Sequence, residues 1–311
     1  AASVMGAAQL QPHQNAIMAD MGGTTTDIAI ITDGLPVINA KATVIGAWRP
    51  MVEAVRVFSL GLGGDSEVRF QGGVGLAIGP RRVVPMSLLV YRYPEVLGTL
   101  ERQMNTTISP RSNRFAVALF AEASQRKSFS SEEATAWERL QEGPLDVEQL
   151  SQEDRPLTRA LARLVRDGIA IYSGFTPTDA AHVLGKADHW SVRAAEIAAV
   201  TWAKQMRQIY GWGKFQEHDP EGPSAAVEEH MVHTICAALV SACLATDPGE
   251  THHAERERTA RLFSDWISGK SAVDGGLFSL KLDAARSLVA VGAPAELYYP
   301  RVAQNFKVPL S

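Results

Sequence analysis

The stretch Ile17 to Ile31, IMADMGGTTTDIAII, sets two glycines, three threonines and two aspartates between two isoleucine-rich apolar runs. Short apolar runs rich in β-branched residues fit strands, so the segment predicts an antiparallel pair joined by a wide polar loop. Gly22 and Gly23 have no side chain to keep a ligand from the backbone N–H groups, and Thr24, Thr25 and Thr26 add hydroxyl donors beside them. Asp20 and Asp27 bracket the loop with hard oxygens suited to a magnesium ion, held directly or through its waters. Together these groups would hold a metal-bound polyphosphate. A Walker-type loop is excluded, because it needs a lysine and a following helix, whereas here a strand follows. Glycine and threonine are also ordinary loop residues, so a polar hairpin without a ligand is the competing reading.

The rest of the chain alternates in character. Asp33-Gly34 is a strong turn signal before LPVINAKATVIG, which predicts a third antiparallel strand. VEAVRVFSL, GLGGDSEVRF, the turn QGGVG and LAIGPRRVVP continue the strand-rich region. From about Pro94 the spacing turns helical, and the piece Pro144 to Phe175 reads as helix, turn, helix, strand, an order that resembles a winged helix. Beyond Gly174 long helices dominate, and the end returns to strand and turn in SLVAVGAPAELYYP. The expected division is a strand-rich region over residues 1–93, a helical insertion over 94–173 and a helical remainder over 174–311. No fixed-period repeat or low-complexity segment interrupts it.

With 311 residues, 46% hydrophobic and 21% charged, the chain can bury a full core and has room for about two domains. No apolar run looks as long as a membrane span, and the start AASVMGAAQLQPHQ lacks the flank and apolar block of a signal peptide. A soluble cytoplasmic protein with no membrane contact is the expectation. A net charge of −4 offers no general attraction to nucleic acid. Cys236 and Cys243, about 10 Å apart along a helix, are too distant for a disulfide and are expected to be core thiols.

Several other constellations invite chemistry. In GLGGDSEVRF, Gly63 and Gly64 expose backbone while Asp65 and Ser66 bind polar groups, so the segment either lines a cleft or is a glycine-rich connection between strands. GFTPTDAAH sets Asp179 and His182 on one helical face, in reach of a metal or substrate; Thr176, Pro177 and Asp179 equally spell a helix start. His230 and His233 beside Glu228 and Glu229 lack the zincin spacing, so a solvated helix face is favoured over zinc. Arg159, Arg163 and Arg166 form a basic helix face of the kind that meets DNA phosphates, but Glu153, Asp154 and Asp167 flank it, favouring solvent or a protein contact.

DMGGTTTD in its strand-loop-strand setting resembles the phosphate hairpin of the actin, sugar-kinase and heat-shock ATPase superfamily. More closely, SVMGAAQL and NAIMADMGGTTTDIAII, followed in order by GLGGDSEVRF, GFTPTDAAHVLG and VAVGAPAELYYP, resemble the A-type chain of the hydantoinase/oxoprolinase family. The resemblance implies a mixed α/β fold: an actin-like ATPase lobe, with a ribonuclease H-like mixed sheet and helices, interrupted by the winged-helix-like insertion. It implies ATP and Mg2+ as cofactors, with Asp20 and Asp27 anchoring the ion or orienting the attacking oxygen. Gly22 to Thr26 would hold phosphates, and Gly292 and Ala293 would form the turn near the adenosine. Asp65, Ser66, Asp179 and His182 join Gly63 and Gly64 as substrate or cleft residues.

The implied reaction is ATP-dependent opening of a cyclic amide or imide, of hydantoin or 5-oxoproline type, through carbonyl phosphorylation. Alternatives are an ATP-dependent ketone carboxylase subunit and a non-catalytic nucleotide-gated interaction module. Implied partners are the carbonyl substrate and the family's B-type subunit, with a homo-oligomer left open. Two such hairpins close on ATP in that superfamily and only one is present here. The resemblance therefore makes the chain a C-terminal piece, expected to be weak or inactive without the first lobe.

Overall fold

The computed structural model describes Gly6 and residues 14–39, 54–120, 128–244, 253–267 and 286–311. The expected opening helix, apart from Gly6, and the end of the expected third strand lie outside them. The chain divides into two compact units, residues 1–64 with 229–311, and residues 65–228. This differs from the expected cuts after residues 93 and 173, both of which fall inside the second unit.

In chain order the first unit carries β1 (Ala16–Met21), β2 (Thr26–Thr32), β3 (Leu35–Pro36), β4 (Ile38–Asn39), β5 (Ala54–Val55) and β6 (Val57–Leu60). The second unit holds β7 (Ser66–Gln71), β8 (Gly75–Arg82), β9 (Val84–Pro85), α1 (Met86–Arg92), α2 (Val96–Asn105), β10 (Phe115–Ala118) and α3 (Ser131–Glu142). It continues through β11 (Leu145–Asp146), α4 (Val147–Glu153), α5 (Arg155–Arg166), β12 (Ala170–Gly174), α6 (Pro177–Val183) and α7 (Val192–Tyr210). The division falls within α8 (Glu221–Leu244), after which the first unit resumes with α9 (His253–Ile267), β13 (Ser287–Val291) and α10 (Ala295–Phe306).

The main sheet of the first unit runs β13-β1-β2-β3, with β6 also paired to β2. β1, β2 and β3 form an antiparallel meander, and β13 joins β1 in parallel. Such a meander with a parallel neighbour on its first strand is the ribonuclease H-like mixed sheet that the resemblance implied. The turn Asp33-Gly34 closes β2 on β3 with both residues at positive φ, as a two-residue hairpin of this twist requires. Cross-strand register puts Ala16, Met18, Ala29, Ile31 and Val289 on one face, where they form a buried cluster.

α8 corrects the reading that no apolar run reaches a membrane span, since by length and composition alone this helix is sufficient to cross one. It is apolar on several sides, and within the unit it buries Met231, Val232, Ile235, Cys236, Leu239 and Ala242. A second correction concerns the thiols. Cys236 is a core thiol, whereas Cys243 is exposed. The segment after Gly292, expected as a turn, carries α10, which contains Pro300. Proline disfavours helix interiors and masks the pattern.

In the second unit the helix, turn, helix, strand order expected from the sequence is present as α4, α5 and β12. Their cluster, with Trp137, Leu140, Leu161 and Leu164 at its centre, is closed by caps. Asp154 accepts the Leu157 N–H, Ser130 and Glu133 form a capping box on α3, and Arg163 binds Glu133 at 2.6 Å. Arg163 therefore links two helices, while Arg159 and Arg166 are exposed, in line with the solvated face expected. β12 runs through the sheet β11-β10-β12-β9, so the helical segment is continuous with the rest of this unit. Leu161→Ala removes a fully buried side chain from this cluster and is expected to lower unfolding free energy by about 2–5 kcal/mol, measured by urea denaturation.

Candidate active site

Pairing of β1 with β2 places Asp20 opposite Asp27 and Met21 opposite Thr26. Opposed residues of an antiparallel pair share a face, with Cβ atoms about 5 Å apart. Two half-buried carboxylates therefore stand side by side at the mouth of the hairpin. Ser59 on β6, opposite Asp27, donates its hydroxyl to Asp27 Oδ1 at 2.6 Å. Among the described residues no lysine or arginine pairs with either acid. Like charges directly opposed destabilise a sheet.

The loop closes through the Gly22 N–H, which donates to the Thr25 carbonyl at 2.8 Å. That amide is used within the turn. The N–H groups of Gly23 and Thr24 take no partner among the described residues. Gly22 and Thr25 are exposed, while Gly23 and Thr24 are half-buried. Thr26 differs from its expected role: it is fully buried, and its hydroxyl donates to the Leu62 carbonyl at 2.7 Å. Strand alternation explains this, since Thr26 faces opposite to Asp27.

Behind the loop lies the segment Gly61 to Gly64. The Gly64 N–H donates to the Gly22 carbonyl at 3.2 Å, and a Cβ on Gly63 would sit 2.4 Å from the Gly23 carbonyl carbon and 2.5 Å from Thr24 N. The expected role of Gly63 is to let a ligand approach its backbone. It is buried, and what it admits is the backbone of the hairpin. On the other flank the parallel register of β13 sets Val291 beside Asp20, so the turn Gly292-Ala293 emerges next to the loop. Gly292 has φ +104° and lies so close that a Cβ would fall 2.0 Å from the Met21 carbonyl oxygen. Three sequence-distant segments thus converge on one hairpin.

The remaining candidates lie in the second unit. Asp65 binds Arg82 at 3.1 Å; burial pushes its carboxyl up, and Arg82 opposes the shift. Ser66 is fully buried beside it in β7. Asp179 is fully buried and accepts from the N–H groups of Met86, Ser87 and Thr176 and from the hydroxyls of Ser87 and Thr176. It thereby caps α1 as well as its own helix α6, and the helix-cap reading displaces the cleft reading. Burial raises its carboxyl above the ordinary range, against the pull of those donors. His182 contacts the Thr178 carbonyl through Nδ1 at 2.8 Å and accepts the Trp190 N–H at Nε2, 3.2 Å, so both ring nitrogens serve the fold.

His233, in the first unit, contacts Ser264 and Asp265 of α9. Among the described residues no group of three or more histidine, cysteine or acidic side chains forms a metal cluster. Ser59 is the participant that sequence reasoning missed. Its only signal was a lone polar residue within VFSL, whose register against Asp27 the sequence does not state.

The hydantoinase/oxoprolinase family model matches residues 1–189, more than half of the chain. The chain belongs to the hydantoinase/oxoprolinase family. No curated protein matches it by sequence. One similar solved structure is that of nucleotide-free acetone carboxylase, described under the mechanism of ATP-dependent acetone carboxylation, at 15% identity and a TM-score of 0.47. The match covers 98% of this chain and 28% of that one, so this family member spans less than a third of that polypeptide.

Two variants check the assignments in this family member. Gly63→Ala drives a methyl group into the hairpin backbone and is expected to lower the melting temperature and displace the loop, read from amide exchange of Gly22 to Thr25. Asp179→Ala strips the acceptor from five buried donors and is expected to cost about 2–4 kcal/mol in chemical denaturation.

Proposed function

We propose that the first unit is a phosphate-holding lobe of an ATP-dependent enzyme that acts on a carbonyl group, of the cyclic-amide-opening type. The observation that carries this reading is the convergence on the β1–β2 hairpin of two backbones that only glycine permits, leaving its tip and its two aspartates outward. Family membership supports the reaction class.

The residues fit a magnesium nucleotide. Magnesium keeps several waters and is usually bound by one or two carboxylates together with phosphate oxygens, and Asp20 and Asp27 supply two opposed carboxylates with no competing cation among the described residues. Ser59 holds one oxygen of Asp27 and so orients the other. The Gly23 and Thr24 amides and the Thr24 and Thr25 hydroxyls are donors for phosphate oxygens. Gly292 and Ala293 flank them as the turn on the nucleoside side. When bound, the metal nucleotide supplies an electrophilic terminal phosphoryl group.

Ring amides are stabilised by resonance and resist water. Transfer of that phosphoryl group to the carbonyl oxygen would make the carbon electrophilic; one water would add there, the ring C–N bond would break as the new hydroxyl's proton passes to the nitrogen, and a second water would hydrolyse the resulting acyl phosphate to carboxylate and phosphate. For such a transfer a protein contributes chiefly positioning and charge neutralisation, which is what a rigid hairpin with paired carboxylates provides. Cytoplasmic location and a B-type partner subunit belong to the same proposal.

Calorimetric titration of Mg-ATP into the full-length protein with its partner subunit tests it. Asp20→Asn and Asp27→Asn are each expected to weaken magnesium-dependent ATP binding roughly tenfold or more while the fold persists, and phosphate release is expected only with a carbonyl substrate. Hydantoin, 5-oxoproline, and a simple ketone with bicarbonate form the substrate panel. ATP affinity unaffected by both substitutions would sink the site, and phosphate release independent of every carbonyl compound would favour a nucleotide-gated module.

A further inference from the structure

An arginine cluster in the second unit has no place in the hairpin chemistry. Glu67 on β7 is buried, and its two oxygens each hold a different guanidinium: Oε1 binds Arg114 at 2.7 Å and Oε2 binds Arg81 at 3.2 Å. Arg114 also stacks on Tyr172 of β12, 5.3 Å from the ring centroid. Arg111, three residues before Arg114, is exposed. Its side chain has no acidic partner among the described residues.

The charges do not balance. Two guanidinium groups, those of Arg81 and Arg114, share one carboxylate, and the neighbouring acid Asp65 is taken by Arg82. Each guanidinium carries five N–H donors in a fixed fork, and the contact with Glu67 uses one nitrogen of Arg114 and one of Arg81. The remaining donors are available to solvent, for the Arg81 side chain is 61% exposed and that of Arg114 31%. A buried acid that fixes two arginines costs desolvation, and it pre-organises them in a way a solvated pair is not. Tyr172, whose ring lies under Arg114, brings a phenol hydroxyl that is protonated at neutral pH and whose pKa burial raises further.

We infer that Arg81, Arg114 and Tyr172 form an anion site for a small phosphate- or carboxylate-bearing ligand, oriented by the buried Glu67. Bidentate recognition of planar or tetrahedral oxyanions is the chemistry for which guanidinium forks are suited, and two of them anchored on one carboxylate aim in a fixed direction. The inference stands apart from the nucleotide hairpin and survives or fails without it.

Titration of the full chain with inorganic phosphate and, separately, with malonate at low ionic strength reads the site directly. One ligand of either kind is expected to bind per chain, with affinity that falls as salt rises. Arg81→Gln and Arg114→Gln are each expected to weaken it roughly tenfold. Tyr172→Phe, which keeps the ring under Arg114, is expected to weaken it severalfold. Arg166→Gln on the exposed face of α5 serves as control, and Thr24→Val with Thr25→Val keeps hairpin binding from being mistaken for this site. Stronger binding of phosphate than of malonate marks a phosphate ligand, and the reverse a carboxylate. Absence of both anions at low salt, or binding that both arginine substitutions leave intact, overturns the inference.

Discussion

At the β1–β2 hairpin of the first unit, main chain packs directly on main chain. Gly63 from one side and Gly292 from the other press against the β1–β2 hairpin at distances that admit no side-chain carbon at all. A loop rich in glycine and threonine has high conformational entropy and would not by itself hold one shape. Here the order is supplied from outside it, by a strand connection, a parallel strand end and the Thr26 hydroxyl on Leu62. A hairpin braced in this manner keeps its unpaired amides and its two carboxylates in fixed positions, as the proposed role requires.

Acidic residues show how far local pattern underdetermines role. Asp27 and Asp179 both follow a threonine directly, in TTTD and TPTD. One opposes another aspartate at a strand end and takes a single serine hydroxyl. The other is buried among five donors from two helices. Glu67 has a third fate, buried and clamped between two arginines. Burial of a charged group is tolerable only when its hydrogen-bonding capacity is met, so the surroundings decide whether a carboxylate braces the fold or faces a ligand.

Much of the fold was legible from short-range signals. The isoleucine-rich runs, the Asp33-Gly34 turn, the capping box at Thr176 and the amphipathic spacing of Leu157, Leu161 and Leu164 each have a local physical cause and each appears where expected. The candidate site was legible in its glycines and its two aspartates. What those glycines are for was not: Gly63 looked like an opening for a ligand and is an opening for the hairpin itself. Ser59 and the boundaries of the two units also escaped, because both depend on pairings between residues far apart in the chain. Helix α10 hid behind Pro300, a residue that argues against a helix on local grounds.

By itself the sequence determined the strand-loop-strand with its unusual loop chemistry, the caps and turns, and membership of the hydantoinase/oxoprolinase family. These follow from interactions within a few residues or from motifs carried whole. Only the tertiary structure decided that Asp20 and Asp27 stand together with Ser59, that Gly292 returns beside Met21, that Asp179 is a double cap, and that two arginines clamp one buried glutamate. The physical reason is that register, burial and the company of a charge are properties of packed surfaces. A residue's type sets which interactions it can make, and packing sets which of them it makes.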